Sequence, residues 1–568
     1  MCAAVDTRVE TSISRAAEAL FAAQRPDGSF PNVRPTAVLG TAGAVAALHF
    51  ADHGHSAGYE HSTDHEHSAD LIAGGVAWLA KEQNPDGGWG GVPGCPTQVV
   101  PTVVAMAVLH LVDPAGQERA VARARERLAD LGGVESLSDP GMAYMASTFL
   151  ALAGLHDLAG SRRIPLGLLM LPRRLWRRRM SFRVAPFIAM AFIQARHTPG
   201  GRTGRLARRT ALKVLAQIER GENDRGGYGG DNWLAAVVCI GLVCADAPRA
   251  MVDAAVGYLR GNVHEDGSWH IMQGLDLVGG GFAARGLALA GYAGDPRLVR
   301  ARDWRRGCRQ REPFPVYGAP AGGWGWEGPR GWPNFLDSAT VLSALSRGRA
   351  PESDAALRGG LDWLRSRRDS RGSWGTFVPD TTLPNDGPCP YVTAQCVEVL
   401  LENGASTQDP HIVRALNWLA ARQQPDGTFD ALWYRGRIPG TAMVLAAFAR
   451  AGLADRATAR RAAAALLDAQ LDDGSWGPSG VPVPGDDPGT GTVEETSWAL
   501  WALLAGGTPA RDERLRRAAE WLLAAQRADG RWPASPVAMH IRNFAYYVDG
   551  LIVDGLALRA LGSYREAA

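Results

Sequence analysis

The chain has 568 residues, 46% of them hydrophobic and 21% charged, with 68 glycines and 18 tryptophans, enough to bury a large core in more than one domain. Its formal net charge of +2 leaves no global basic excess to match an acidic polymer, so no nucleic-acid partner is expected from charge and partners must be sought in local patches. Seven cysteines (Cys2, Cys95, Cys239, Cys244, Cys308, Cys389 and Cys396) lie at irregular spacing with no Cys-x-x-Cys pair, which argues against a disulfide framework and against a zinc site. They read as reduced thiols of a cytoplasmic protein. The first residues lack the charged-then-apolar design of a signal peptide, and no stretch reaches the roughly 18 uninterrupted apolar residues that a spanning helix needs.

Taken in chain order, the sequence repeats one unit at intervals of 47 to 59 residues over much of its length. The copies are AQRPDGSF, EQNPDGGW, HEDGSW, RRDSRGSW, RQQPDGTF, AQLDDGSW and AQRADGRW. Five obey Gln-x-x-x-Gly-x-aromatic: Gln24/Gly28/Phe30, Gln83/Gly87/Trp89, Gln423/Gly427/Phe429, Gln470/Gly474/Trp476 and Gln526/Gly530/Trp532. A degenerate copy at Trp363, Arg368, Gly372 and Trp374 keeps the offsets.

Physically, each copy is a helix that ends at a Gly-punctuated turn. Its last-turn Gln hydrogen-bonds the freed backbone of that turn, and the aromatic two residues after Gly covers the Gln side chain. After each staple the spacing predicts an apolar helix, over 97–111, 337–346, 392–402, 441–452 and 495–505, forming an inner ring inside more charged outer helices.

Two segments stand apart. RRLWRRRMSFR (173–183) is a dense basic cluster that suits a solvated face, anionic lipid headgroups or a prenyl diphosphate. HFADHGHSAGYEHSTDHEHSAD (49–70) mixes histidines with acidic residues at a spacing that fits no nameable metal site, and reads as a flexible insertion.

Over residues 15–565 the chain resembles the squalene–hopene cyclases and their class II terpene cyclase relatives. The resemblance is carried by the staples, by AGGWGWEGPRGWPNFLDSATVLSAL (321–345), YVTAQCVEVLLENG (391–404), WYRGRIPGTAMVLAAF (433–448), VEETSWALWALLAGG (493–507) and LGGVES (131–136). It implies an all-α fold of two (α/α)-barrel domains. The expected division is a smaller inserted barrel over 31–265 and a main barrel made of 1–30 with 266–568. It also implies a polyprenyl substrate cyclised without cofactor or metal, and peripheral attachment to a membrane leaflet.

Such chemistry needs an acid strong enough to protonate an alkene, and a dry cavity whose aromatic faces shelter the cation. The family acid motif is Asp-x-Asp-Asp, with the proton on the middle Asp. The matching run here is Asn334-Phe335-Leu336-Asp337, and Gln395 stands where the family places the His that partners the middle Asp. The proton-delivery device is therefore replaced. Asp337, expected at a helix start whose N–H groups would strengthen it as an acid, is one catalytic candidate. Glu494 and Glu495, at the helix start two repeats later, are the others; Asp276, Asp549 and Asp554 are weaker.

By the same resemblance Trp433 matches a family cavity tryptophan and Trp326 a cavity phenylalanine. Trp332, Asn334, Phe335, Leu336, Tyr391, Gln395, Phe544 and Tyr546 fall in or beside matching segments as substrate contacts. The cavity is expected between 320–345, 391–396, 433–441 and 493–498, enlarged where LVGGGFAARG (277–286) replaces a bulky family Trp. The leading reading is a nonstandard terpenoid cyclase acting on a C20–C30 polyprenyl substrate. The alternative is an isoprenoid-binding homologue that lost the acid. Protein prenyltransferase, a third class, requires an Asp/Cys/His zinc trio that these cysteines do not offer.

Overall fold

The computed structural model describes residues 2–32, 35–53, 65–158, 160–198, 204–222, 226–272, 275–314, 316–326, 328–348, 353–384, 386–478, 489–541 and 545–568. Residues 54–64 of the His-rich segment, and Phe544, lie outside them.

The first eleven helices are α1 (Cys2–Ala22), α2 (Val38–His53), α3 (His65–Lys81), α4 (Val99–Val112), α5 (Glu118–Asp130), α6 (Pro140–Leu152), α7 (Arg173–Met180), α8 (Val184–His197), α9 (Arg205–Glu222), α10 (Asn232–Cys244) and α11 (Arg249–Arg260). The rest are α12 (Asp276–Leu287), α13 (Pro296–Gly307), α14 (Phe335–Leu345), α15 (Ala355–Ser366), α16 (Pro390–Glu402), α17 (Pro410–Ala420), α18 (Ile438–Arg450), α19 (Ala457–Asp468), α20 (Val493–Ala505), α21 (Glu513–Ala525) and α22 (Gly550–Ala567). Among the described residues the strands are β1 (Ala538–Ile541) and β2 (Ala545–Tyr547), one antiparallel pair.

The even-numbered helices form two closed rings. In the first, α2 packs on α4, α4 on α6, α6 on α8, α8 on α10, and α10 returns to α2. In the second, the chain of contacts runs α12, α14, α16, α18, α20, α22 and back to α12. The remaining helices lie outside, and α1 packs against α22 and α21 of the second ring although it begins the chain. Composition explains the sorting. Inner α4 buries Val100 through Leu109 without a break, whereas outer α5 buries only Val121, Ala124 and Leu128 along one stripe.

The repeated unit is a four-way clamp. Gln470 Nε2 donates to Gly474 O of its own turn and to Arg514 O at the start of α21, each at 2.8 Å. Gln83 ties its turn to Ala120 of α5, Gln423 to Thr458 of α19, Gln24 to Arg297 of α13 and Gln526 to Ser12 of α1 in the same way. The aromatic does more than cover the Gln. The Trp476 indole N–H donates to Leu466 O at the end of α19, and Trp89, Trp269, Trp374 and Trp532 bond their own outer helices likewise.

A hydroxyl on the fourth residue of the next inner helix then accepts the aromatic backbone N–H: Thr41 for Trp269, Thr102 for Trp89, Ser338 for Trp324, Thr393 for Trp374, Thr441 for Phe429 and Thr496 for Trp476. This Thr/Ser is a regular member of the unit that the Gln and Gly spacing did not disclose.

Two expectations change. Helices α14, α16, α18 and α20 begin two or three residues before 337, 392, 441 and 495, because the chain becomes helical as soon as the clamp releases it. The glycines of 277–286 do not enlarge a cavity. A Cβ at Gly279 would meet Asn32 and Asp549, at Gly280 the Arg305 guanidinium, and at Gly281 Thr340. At Gly286 it would lie 2.3 Å from Gly555 O, so these glycines let α12 and α22 close the second ring backbone to backbone.

Thr496→Val leaves the buried Trp476 N–H without its 3.0 Å acceptor. An unpaired buried donor costs about 1–3 kcal/mol. Urea denaturation should show that loss, and an unchanged midpoint would mean the hydroxyl contributes nothing to the clamp.

Candidate active site

Because each clamp sets the start of an inner helix, the two rings present their helix N-termini to one another. Between them lies a cavity of about 590 Å³. The first ring contributes Met142, Tyr144 and Met145 of α6, Phe187 and Met190 of α8, and Trp233 and Val237 of α10. The second contributes Val278 of α12, Leu336 and Asp337 of α14, the turns carrying Phe377 and Trp433, and Tyr547 of β2.

The aromatic wall is continuous. Trp326 stacks on Trp332 at 6.3 Å with planes 10° apart, and Phe377 stands edge-on to both. Phe377 also touches Phe182 across the two halves at 5.0 Å. The Trp326 indole bonds Gly229 O of the first-ring side, and the Trp433 indole donates to Thr376 Oγ1 at 2.8 Å. The Trp332 indole N–H is buried with no partner among the described residues.

Asp337 is 5% exposed and lines this cavity. It is the third residue of α14, and the cap is Asn334, whose Oδ1 accepts the Asp337 N–H at 2.8 Å while its amide donates to Asp337 Oδ2. The expectation that the helix start would strengthen the acid is reversed. Burial outweighs the hydrogen bond from Asn334 and raises the carboxyl from 3.8 to about 7. The group thus carries a proton up to near neutrality.

The other candidates divide. Trp326, Trp332, Asn334, Leu336 and Trp433 line the cavity with Asp337. Phe335 packs on Trp363 at 5.3 Å behind the wall. Tyr391 lies one layer back, 4.8 Å from the Tyr434 ring, and Tyr434 is the one that reaches the cavity. Gln395 donates to Thr340 Oγ1 at 2.9 Å rather than to Asp337. Tyr546 is buried off the cavity, because neighbours in β2 point to opposite faces and Tyr547 faces inward.

Glu494 and Glu495 are fully buried in the first turn of α20 and do not line the cavity. Glu495 pairs with Arg435 at 3.2 Å; Glu494 accepts Ser535 N–H at 2.7 Å and Ser535 Oγ at 2.9 Å, and burial with the neighbouring Glu495 charge pushes its carboxyl up. Asp276 is held by Arg25, Asp554 by Arg531, and Asp549 caps α22. The expected cavity segments 391–396 and 493–498 are therefore one layer too deep. The first ring supplies that side instead.

Sequence reasoning missed Asp231, which caps α10 through Leu234 N–H at 3.0 Å and lines the cavity opposite the second ring. Its signal was present in GGYGGDNWLAAVV, a Gly-rich turn ahead of an apolar helix. Tyr144, whose hydroxyl burial pushes up to about 12, and Tyr434, raised well above the ordinary value by burial, keep their protons and offer neutral hydroxyls or ring faces.

The squalene-hopene cyclase N-terminal domain matches residues 13–183 and the C-terminal domain matches residues 298–565. The chain belongs to the squalene–hopene cyclase family. It is 24% identical to the squalene–hopene cyclase of Alicyclobacillus acidocaldarius over 80% of this chain and 83% of that protein. It is 30% identical to the Bradyrhizobium diazoefficiens squalene–hopene cyclase over 37% of this chain and 36% of that one. In three dimensions it is similar to the ent-copalyl diphosphate synthase of Streptomyces platensis, with a TM-score of 0.55 at 19% identity over 97% of this chain and 99% of that one. Within this squalene–hopene cyclase family fold, Leu336 and Asp337 both line the two-ring cavity.

The Asp337 proton is also a stability term. The folded chain keeps it up to about pH 7, whereas the unfolded chain loses it near 3.8. The folded value lies above the unfolded one, so the stabilisation is full below the unfolded value and is lost as pH rises through the folded one. Relative to Asp337→Asn, wild-type unfolding free energy should decline over that window by up to about 1.4 kcal/mol per pH unit. A flat difference would place the carboxyl in water.

Proposed function

We propose that the protein is a nonstandard terpenoid cyclase that cyclises a C20–C30 isoprenoid by a cationic route, with Asp337 delivering the first proton. The observation that carries this reading is geometric: the buried Asp337 carboxyl lines an aromatic cavity, where its raised value makes it a weaker acid than the helix start alone would give but leaves it a proton to deliver near neutrality. The carboxyl O–H bond breaks as the proton adds to one carbon of the terminal alkene, leaving a tertiary cation on the other. Successive double bonds attack it, each forming a C–C bond and passing the charge along the chain. A C–H bond next to the last cation then gives up its proton to solvent water at the cavity mouth, and the Asp337 carboxylate regains one from solvent, so substrate and product are isomers.

Asn334 orients Asp337 through their paired hydrogen bonds. Trp326, Trp332, Phe377 and Trp433 offer faces to the travelling charge, and their packing keeps water from quenching it.

The division into an inserted barrel of 31–265 and a main barrel of 1–30 with 266–568 is supported by α1 packing on α22. Leu168, Met170, Leu171 and Leu175, each 42–55% exposed beside Arg174, support peripheral contact with a membrane surface. Leu336 favours a second reading, isoprenoid binding without chemistry, because no proton can come from the family's donor position.

Asp337→Asn decides between them. Incubation of the parent with squalene, oxidosqualene and farnesyl, geranylgeranyl and longer diphosphates, read by mass spectrometry, should yield cyclic products, and the variant should lose about 100-fold or more of that rate while still binding ligand. Trp433→Ala should change the product pattern. A parent that binds but never cyclises supports the binding reading; a fully active variant removes Asp337 as the acid.

A further inference from the structure

The side chains that line the cavity differ in exposure and charge. Arg162, Arg163 and Pro165 are exposed and Arg183 is half-buried, so they mark its open side, whereas Trp332, Asn334 and Asp337 are buried. Apolar and aromatic side chains make up most of the remaining lining. A pure hydrocarbon has no use for three guanidinium groups at the entrance of its pocket, since they must stay hydrated.

The charge there is not cancelled. Arg183 pairs with Asp139 at 3.2 Å, but neither Arg162 nor Arg163 pairs with a carboxylate among the described residues. The segment that carries them is anchored. Gln194 of α8, 5% exposed, accepts the Ile164 N–H at 2.9 Å and donates to Arg162 O at 3.2 Å. One buried amide thus holds both arginines at the rim. Neither the Asp231 nor the Asp337 carboxyl that lines the cavity offers an anion a positive charge, which leaves the arginines as its place.

We propose that Arg162, Arg163 and Arg183 form an anion subsite that holds the charged head of the ligand, so that the substrate is a prenyl diphosphate rather than an uncharged hydrocarbon, bound with its tail tip toward Asp337. This rests on reading the cavity as an isoprenoid site. Guanidinium forks match phosphate oxygens two at a time, and each such charge-assisted bond is stronger than a neutral one. Anchoring the head also fixes which alkene meets the acid. The double bond farthest from the diphosphate is protonated, and the carbon–oxygen bond to the head stays intact.

The test is a binding measurement on the full chain in detergent, using fluorescence of the cavity tryptophans Trp233, Trp326, Trp332 and Trp433. The probes are geranylgeranyl diphosphate, geranylgeraniol and inorganic diphosphate, with vesicles of anionic phospholipid as a separate arm. The diphosphate should bind at least about tenfold tighter than the alcohol, the least that one charge-assisted bond provides. Arg162→Gln with Arg163→Gln should erase that preference, leave the affinity for the alcohol within twofold, and leave the melting curve unchanged, because both side chains are exposed. Inorganic diphosphate should compete weakly with the prenyl compound.

Equal affinity for diphosphate and alcohol in the parent overturns the proposal, as does a double variant that keeps the preference. A double variant that loses only vesicle binding assigns the arginines to a lipid surface and overturns it too. If neither prenyl compound binds, the isoprenoid reading itself fails, which is a result distinct from binding without preference.

Discussion

The hydrogen bond between a turn aromatic's backbone N–H and the hydroxyl four residues into the next inner helix is the constraint on which the rest depends. It fixes where each inner helix starts relative to the outer helix before it, since the same aromatic is tied by its indole to that outer helix, for example Trp476 to Leu466 and to Thr496. The Gln then binds the next outer helix, as Gln470 does Arg514. Each clamp therefore joins three helices, and repetition brings all inner-helix starts to one end of a ring. Two such rings meeting at that end make the cavity. A site built this way is stiff at its entrances to each helix, which is what a reaction through short-lived cations needs from its walls.

Buried carboxyls in this protein show which local effect wins. Glu398 is buried among cations, and although burial opposes ionisation, Arg559 at 3.1 Å and Arg285 hold its carboxyl below the ordinary value. Asp337 is buried just as deeply, but its side chain faces a neutral amide, and burial raises it to about 7. Asp386 accepts the N–H groups of Thr376, Phe377 and Val378 on one oxygen, yet burial still lifts it to about 7. Backbone donors and a helix start offset only part of the cost of burying a charge, whereas a guanidinium offsets most of it. Asp337, whose side-chain partner is the neutral Asn334, thus keeps its raised value without a charged partner among the described residues.

The cavity combines two kinds of wall. Aromatic faces from the second ring surround the buried acid, and the first ring brings the apolar residues of α6, α8 and α10 together with the arginines at the rim. Asp231, capping α10, adds a second carboxyl group to the lining from the first ring.

The repeat pattern alone determined that this is an array of helical hairpins, because Gln, Gly and an aromatic at fixed spacing satisfy a local turn whatever surrounds it. That Asp337, Trp326, Trp332 and Trp433 would face one cavity was implied by the resemblance to the cyclase family and not by the repeat itself, and all four line the cavity. What the tertiary structure decided is everything that depends on which partner lies across a gap. Glu495 and Gln395 occupy first-turn or near-first-turn places much like that of Asp337, yet Arg435 and Thr340 pack against them and draw them away from the cavity. Tyr391 and Tyr546 each yield to the residue next in line, Tyr434 and Tyr547. The glycines of α12 read as open space in one dimension and are filled by Arg305, Thr340 and α22 in three. Direction along a helix is local and legible; depth behind a wall, and hence the balance between burial and a charged partner, is set by residues hundreds of positions away.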